Sequence, residues 1–531
     1  MLGKELFVLD RPVKADPTFC VSWAFPNCYA VGMSSLAYQL VWWLLEQDLD
    51  LSVRRVFTDC HEGPGQACEL IGFTLSWELD YVNVLKILSQ QGVARLSVDR
   101  LAGSPLVFGG GPVLAANPES FADFFDCVLL GDAEVVVPAF IARWKEIRHL
   151  TDRREQLIEL SSVDGVYVPS LYRFKFASNG PVESVEPVDS RVPPRKEKQI
   201  FAAPADYVCH TVMLDRDTTW GDKFLIEVVR SCPRDCNFCL ASYISRPFRF
   251  AAVDAILNKV DLALKHTRQV GLLGASVTEH PQFDELAGEL VKRSGLEISV
   301  SSVRADSVTA LTLALLRQLG QKSLTIALES GSESLRAAIR KNLSEDQIMA
   351  AVELVDQAAF AQLKLYLMVG LPQERMEDLD ETIRLLTVIK KLHKRLRIVV
   401  GLSTFVPKAQ TPFQWSPRER GLAAKLEYLR KHLSRIGVDV RLESHNWGDI
   451  QALLSRGDRR LTPALASIAQ GAGNLGAWRS AFRDFPPECP SAEYFTFREI
   501  PYGETLPWSH LQNDGMSESL CKRAQSSKRL S

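Results

Sequence analysis

Long apolar runs are missing from this chain. No stretch reaches the roughly eighteen uncharged apolar residues of a membrane-spanning helix, so no membrane segment is expected. The first ten residues hold no apolar core behind a basic start, which gives no sign of a secretory leader and points to the cytoplasm. An excess of one charge is missing too. Lys and Arg total 62 against 64 Asp and Glu, a formal net charge of -2. That balance excludes a globally basic nucleic-acid binder, and nucleic acid is not indicated as a partner beyond what a local basic groove would hold. Cysteine is sparse: eleven in 531 residues, eight scattered and three clustered. Such usage does not build the disulfide framework of a small secreted domain. What the chain does have is length beyond one ordinary core, so two or three domains are expected.

The three clustered thiols stand in Glu227-Val-Val-Arg-Ser-Cys-Pro-Arg-Asp-Cys-Asn-Phe-Cys239, a CxxxCxxC run directly after the apolar segment 224–229. Three cysteines on one short loop can converge on a soft metal centre, and iron–sulfur clusters are held by such thiolates. A structural zinc site would usually bring a second ligand pair, and none follows. The bland alternative is a set of buried structural cysteines, since free cysteine packs as a small apolar residue. Three ligands on a four-iron cluster leave one iron open to a further ligand.

Texture divides the chain at about residues 150, 222 and 445. Before 150, apolar strand candidates at 21–25, 69–74, 105–108 and 127–130 alternate with helical stretches, as in a parallel sheet covered by helices. Residues 151–222 read as a connecting segment rich in proline and charge. Strand candidates then recur at 224–229, 270–273, 297–301, 323–328, 363–369 and 398–404, spaced for six strand–helix units with the helices outside. Residues 446–531 read as a helical extension with a polar tail. In parallel α/β barrels the chemistry collects at the carboxyl ends of the strands, and the cysteine loop ends the first strand of this series.

The cysteine spacing, with Phe238 just before the last thiol, resembles the radical S-adenosylmethionine (radical SAM) superfamily, and residues 223–445 resemble its partial (β/α)6 barrel. The resemblance implies that Cys232, Cys236 and Cys239 hold a 4Fe–4S cluster and that SAM binds beside it. It places Gly274 and Ala275 by the methionine amino group, Ser302 and Arg304 near the ribose and carboxylate, and Glu329 beside the cofactor. The second strand departs from the family by lacking its usual Gly-Gly-Glu. An acid at position 329, after Ile326-Ala-Leu328, would be costly to bury without a partner. Arg304 presents a planar donor fork that suits either a cofactor carboxylate or Glu329. Gly370 and Pro372 either end a strand or touch the cofactor.

In the N-terminal part, Phe25-Pro-Asn-Cys-Tyr-Ala-Val-Gly-Met-Ser-Ser35 puts Asn27, Tyr29 and Gly32 at the spacing of the Asp-x-His-x-x-Gly loop of cobalamin-binding domains. Thr74-Leu-Ser76, Gly109-Gly-Gly-Pro112 and Leu130-Gly-Asp-Ala-Glu134 follow in the same order. Residues 1–150 thus resemble the Rossmann-like, cobalamin-binding-type domain fused before many radical SAM barrels. Glycines would let backbone approach a ligand at the sheet's carboxyl edge. The implied cobalamin contacts are Asn27, Tyr29, Gly32, Thr74, Gly109, Gly110 and Gly111. Tyr29 stands where the family's cobalt-ligating histidine would be, so binding without a protein axial ligand and loss of cobalamin are both open.

With 403–415, 455–460 and 506–510, the whole chain is similar to cobalamin-domain radical SAM proteins of unassigned substrate. The resemblance implies an α/β enzyme that cleaves SAM reductively, with cobalamin-dependent methyl transfer as the leading reaction. Cobalamin-independent oxidation, rearrangement or cyclisation is the alternative, and a non-catalytic iron–sulfur sensor is a third reading. A one-electron reductant such as flavodoxin or ferredoxin is the expected partner. The substrate and any catalytic side chain are not named by these residues.

Overall fold

The structure, a computed structural model, describes residues 5–63, 68–471, 473–483, 489–513 and 515–527. Strands β1 (Phe19–Ala24), β2 (Leu51–Val56), β3 (Leu70–Thr74), β4 (Leu106–Gly110), β5 (Cys127–Leu129) and β6 (Val166–Tyr167) form one sheet. Its order is β2-β1-β3-β4-β5-β6, parallel except for β6. Every residue of β3 and β5 is buried, the continuous apolar reading of strands covered on both faces. β2 was not expected, because Arg54 and Arg55 break its apolar run. Arg55 is nonetheless only 2% exposed, and its guanidinium lies between the carboxylates of Glu5 and Glu62. Cys20 and Cys68 are joined as a disulfide beside β1 and β3, so these two of the scattered cysteines are paired.

The second body begins with β7 (Phe224–Glu227), β8 (Gln269–Leu273) and β9 (Glu297–Val300), a parallel three-stranded sheet. β10 (Ser323–Glu329), β11 (Gln362–Val369), β12 (Arg397–Thr404) and β13 (Asp439–Leu442) form a parallel four-stranded one. A bridge between Val303 and Ile326 joins the two into one curved wall. The six expected strands are all present, and β13 adds a short seventh. The intervening helices include Val253–Ala263, Phe283–Val291, Glu345–Gln357, Met376–Leu392 and Leu422–Arg435. Local chemistry sets their starts: Ser344 and Gln347 close a capping box at the head of Glu345–Gln357.

The C-terminal extension folds back over both bodies. Leu453, Leu454, Leu461, Leu465 and Trp478 complete the core of the N-terminal sheet. Trp508 is fully buried, and its indole N–H donates to Gln414 Oε1 at 2.8 Å in the segment after β12. The 506–510 motif is therefore a tuck against the rest of the molecule, not a free amphipathic tail. Among the described residues no helix is long and apolar enough to cross a membrane.

Candidate active site at the mouth of the barrel

The chain leaves β7 through Val229–Arg230, which pairs antiparallel with Arg249–Phe250, and then turns at Ser231 with a left-handed φ of 68°. Arg230 anchors this exit. Its guanidinium reaches Glu227 at 2.6 Å, Glu134 at 2.7 Å and Asp132 at 3.2 Å, tying the start of the cysteine loop to the N-terminal sheet's Gly-Asp-Ala-Glu segment. Further along, buried Asn237 donates its backbone N–H to Ile339 O at 3.0 Å and accepts from Phe413 N at 3.2 Å. Asp235 pairs with Arg340 and with Arg523 of the C-terminal helix, and Arg234 donates to Glu279. The loop that carries the thiols is thus held from four sides by protein contacts.

Cys236 is 5% exposed, while Cys232 and Cys239 are half-buried. Burial pushes the Cys236 thiol up to about 11, with Lys341 and Arg304 working against it and Cys239 and Glu329 adding to it. Burial also raises Cys232, and Cys239 again adds. Cys239 thus lies within electrostatic reach of both other thiols. Among the described residues no three His, Cys, Asp or Glu side chains are gathered closely enough to hold a single metal ion. A four-iron cluster is itself several atoms across and keeps its thiolates apart, so three thiols on one pinned loop, with Cys239 near both others, fit the cluster better than a lone ion. Cluster ligation needs thiolates, and Lys341, Arg304 and Arg234 supply positive charge around them.

The other expected residues sort into those that gather at this mouth and those occupied elsewhere. Glu329 ends β10 at a bulge, with φ 68° and 8% exposure. Its Oε1 accepts from Lys341 Nζ at 3.1 Å. The possible Arg304–Glu329 pair is not formed. Arg304 instead holds Asp306 at 2.9 and 3.1 Å and Lys341 O at 2.9 Å, because a carboxylate two residues away meets its fork at lower entropic cost. Ser302 is half-buried and Ala275 exposed at the ends of their strands. Gly274 has a packing duty: a Cβ there would lie 2.2 Å from Val229 Cγ2 and 2.7 Å from Val229 O. Phe238 packs with Leu335, Leu371, Phe405 and Phe413, an apolar plug under the loop. Lys341 and Asn237 were missed by sequence reasoning. A lysine directly following Ala-Ile-Arg reads as surface charge, and only its return across β10's end gives it meaning.

In the N-terminal body, Asn27, Thr74 and Gly109 to Gly111 do meet, at the carboxyl ends of the adjacent strands β1, β3 and β4. Asn27 Nδ2 donates to Asp80 Oδ1 at 3.3 Å. The Tyr29 hydroxyl lies 2.7 Å from both Glu5 Oε1 and Asp215 Oδ2. Burial first, and then these two carboxylates, hold the phenol far above its ordinary range. It stays protonated and is not available as a metal ligand. A Cβ on Gly32 would meet Phe57 at 2.5 Å, on Gly109 Phe125 at 2.6 Å, and on Gly111 Leu75 O at 2.8 Å. Gly110 alone of these leaves room, with Leu129 O at 3.5 Å as its nearest neighbour. Gly110 therefore leaves open space at this edge beside the polar Asn27, and among the described residues no side chain here offers itself as a ligand to cobalt in place of the protonated Tyr29. The edge does not fit a corrin coordinated from below by Tyr29.

Comparison with known proteins decides the family. Residues 226–386 match the radical SAM superfamily and residues 39–169 the N-terminal region of radical SAM proteins. The chain belongs to the radical SAM superfamily. This radical SAM protein is 31% identical over 446 residues to an uncharacterized protein of Methanocaldococcus jannaschii, covering 83% of this chain and 89% of that one. It is 26% identical over 210 residues to the tRNA-2-methylthio-N(6)-dimethylallyladenosine synthase of Anaplasma phagocytophilum, 36% of this chain and 46% of that enzyme. Its fold resembles that of the radical S-adenosylmethionine methyltransferase TsrM from Kitasatospora setae, solved with cobalamin and a 4Fe–4S cluster bound. The two are 11% identical with a TM-score of 0.52, over 87% of this chain and 98% of that one. Membership implies that the radical SAM protein uses a 4Fe–4S cluster and SAM.

Proposed function

We propose that this protein is a cobalamin-dependent radical SAM methyltransferase, with Cys232, Cys236 and Cys239 holding the cluster. The observation that carries the reading is the facing of two carboxyl edges. The thiol loop ends β7 of the barrel, the Asn27–Gly110 edge ends β1 and β4, and Arg230 and Lys408 bind the two bodies together through Glu134 and Glu78. When bound, the cluster and SAM supply one-electron reductive cleavage of the sulfonium, and cobalamin supplies a methyl carrier. The side chains orient and enclose. Lys341 neutralises Glu329, and Arg304, braced by Asp306 and Lys341 O, would turn its remaining positive field toward the SAM carboxylate. Phe238, Phe405 and Phe413 keep water from beneath the loop.

Anaerobic reconstitution with iron, sulfide and hydroxocobalamin tests the proposal. Stoichiometric cobalamin, with S-adenosylhomocysteine and 5'-deoxyadenosine formed on reduction in the presence of a methyl acceptor, supports it. One observation favours a second reading, cobalamin-independent radical chemistry: the Gly32, Gly109 and Gly111 positions are already crowded by protein atoms. A protein that forms 5'-deoxyadenosine with a full cluster and retains no cobalamin would select that reading. A full cluster without any SAM cleavage would leave the sensor.

A further inference from the structure

A cavity of about 550 Å³ lies between the two bodies, outside the residues assigned so far to cluster, SAM or corrin. Its walls come from the turn after β3 (Trp77, Leu79, Asp80), the end of β12 (Thr404, Val406) and the helix His445–Arg456 (Trp447), with Trp478 from the extension and Glu443 at the rim. Among the described residues, three indoles and two carboxylates line it, and not one Lys, Arg or His. The nearby cations are committed elsewhere. Lys408 is held by Glu78 and Ser455. Arg418, beneath the Gly448 floor, is held by Asp449, Thr404 Oγ1 and the carbonyls of Phe405 and His445.

Asp80 is the informative wall residue. It is half-buried, and its carboxyl is pushed up to about 6 by burial, opposed only by the Asn27 hydrogen bond. No cation lowers it. A carboxylate drawn out of water without a counter-charge is costly, and a ligand cation beside it would repay that cost. Aromatic faces attract the same ligands, since an organic cation over an indole is held by the ring quadrupole, most strongly where water is excluded. Trp478 is 4% exposed, whereas Trp77 is 48% exposed, so one indole forms the floor and one stands at the opening with surface to lose. The segment that lines the cavity with Thr404 and Val406 continues to Phe413, whose N–H binds Asn237 O in the cysteine loop. Cavity and cluster loop therefore share one strand exit.

We propose that this cavity binds an organic cation, an ammonium-bearing molecule with an apolar or aromatic body, as the substrate. The assignment rests on the enzyme reading above for its role, but not for its binding chemistry, which is read without turnover.

The test is a titration of the anaerobically purified full-length protein with phenethylamine, cationic at neutral pH, followed by tryptophan fluorescence and calorimetry. 2-Phenylethanol and phenylacetate serve as the neutral and anionic probes of similar shape. The expected result is saturable binding of the amine, at least tenfold weaker binding of the alcohol and no detectable binding of the acid. Asp80→Asn and Trp447→Ala should each weaken the amine tenfold or more. Glu443→Gln, at the exposed rim where refolding is not at issue, should weaken it two- to fivefold. Equal affinity for amine and alcohol would overturn the proposal, as would unchanged affinity in folded Asp80→Asn and Glu443→Gln proteins. Displacement of the amine by stoichiometric cobalamin would also overturn it and give the cavity to the corrin. Failure of cobalamin to bind at all would remove the methyltransferase reading while leaving the cation site standing.

Discussion

The Glu329–Lys341 pair is where burial and charge meet most sharply: the side chains are 10% and 7% exposed and 3.1 Å apart. Removing one partner of a buried pair leaves an uncompensated charge, at a cost of about 3–5 kcal/mol, whereas removing both with apolar residues of similar size is often near neutral. Lys341→Met should therefore lower the urea midpoint markedly, and the Lys341→Met/Glu329→Leu double variant should recover most of the loss. If the double variant is as unstable as the single, Glu329 is satisfied by groups other than Lys341. The same double variant should lose SAM affinity if Glu329 faces the cofactor, which separates a structural from a binding role. The cysteines give a cleaner result. Replacing Cys232, Cys236 and Cys239 together by alanine should abolish the broad visible absorption and bound iron, and an iron and sulfide content equal to wild type would exclude them as ligands.

Along β4, two consecutive glycines differ in what surrounds them, and the difference is measurable. A Cβ on Gly109 would overlap Phe125 and Leu114 at 2.6 and 2.7 Å, while on Gly110 it would make only ordinary contact. Overpacking a filled core typically costs about 1–3 kcal/mol. Gly109→Ala should destabilise by about that amount in chemical denaturation, and Gly110→Ala by much less. A bulky residue at 110 should interfere with a ligand at the sheet edge without unfolding the sheet. Elements of this kind show what a sequence discloses. β3, with every residue buried, announces itself as an apolar run, and β10 and β11 announce themselves by alternation, Leu324, Ile326 and Leu328 or Leu363, Leu365 and Leu367 facing in. β2 does not, because Arg55 becomes a core residue only through Glu5 and Glu62. The thiol loop was legible because its cysteines are local, three within eight residues. Lys341, Asn237 and the indole cavity were not. Each depends on contacts between segments far apart in the chain, as when Asn237 meets Ile339 and Phe413. Gly274 was legible as special, but its packing against Val229, which leaves no space for a Cβ, was not.

At the scale of the whole molecule, the C-terminal extension is the clamp that holds the N-terminal sheet and barrel together, and His510 reports on it. The imidazole is 5% exposed and lies against Tyr167 and Tyr172 at centroid distances of 5.1 and 5.2 Å, with Phe174 at 5.5 Å. Burial, and then Arg459, lower it to about 3 from an ordinary 6.5, although Glu119 lies 4.0 Å from its Nε2. Glu119 is itself engaged by Arg459 and Tyr167. The sign follows from proton binding. Between pH 6.5 and about 3 the unfolded chain protonates this ring and the folded one does not, so stability falls as pH falls through that window and is unaffected by His510 above it. The slope for one such group approaches about 1.4 kcal/mol per pH unit. Other groups titrate in the same range: the raised carboxyls of Asp80, to about 6, and Glu374, to about 7, act in the opposite sense. The informative quantity is thus the difference between wild type and His510→Gln, measured by urea denaturation at pH 7.5, 6.0 and 5.0. Wild type should lose about 2 kcal/mol relative to the variant between pH 7.5 and 5, most of it below pH 6.5. A difference independent of pH would mean that the ring is protonated in place or that the 506–510 segment has left its seat before the rest of the chain unfolds. Following Trp508 fluorescence through the same titration, with Trp508→Phe as the control, distinguishes those two outcomes, because only the second exposes an indole that is fully buried in the native fold.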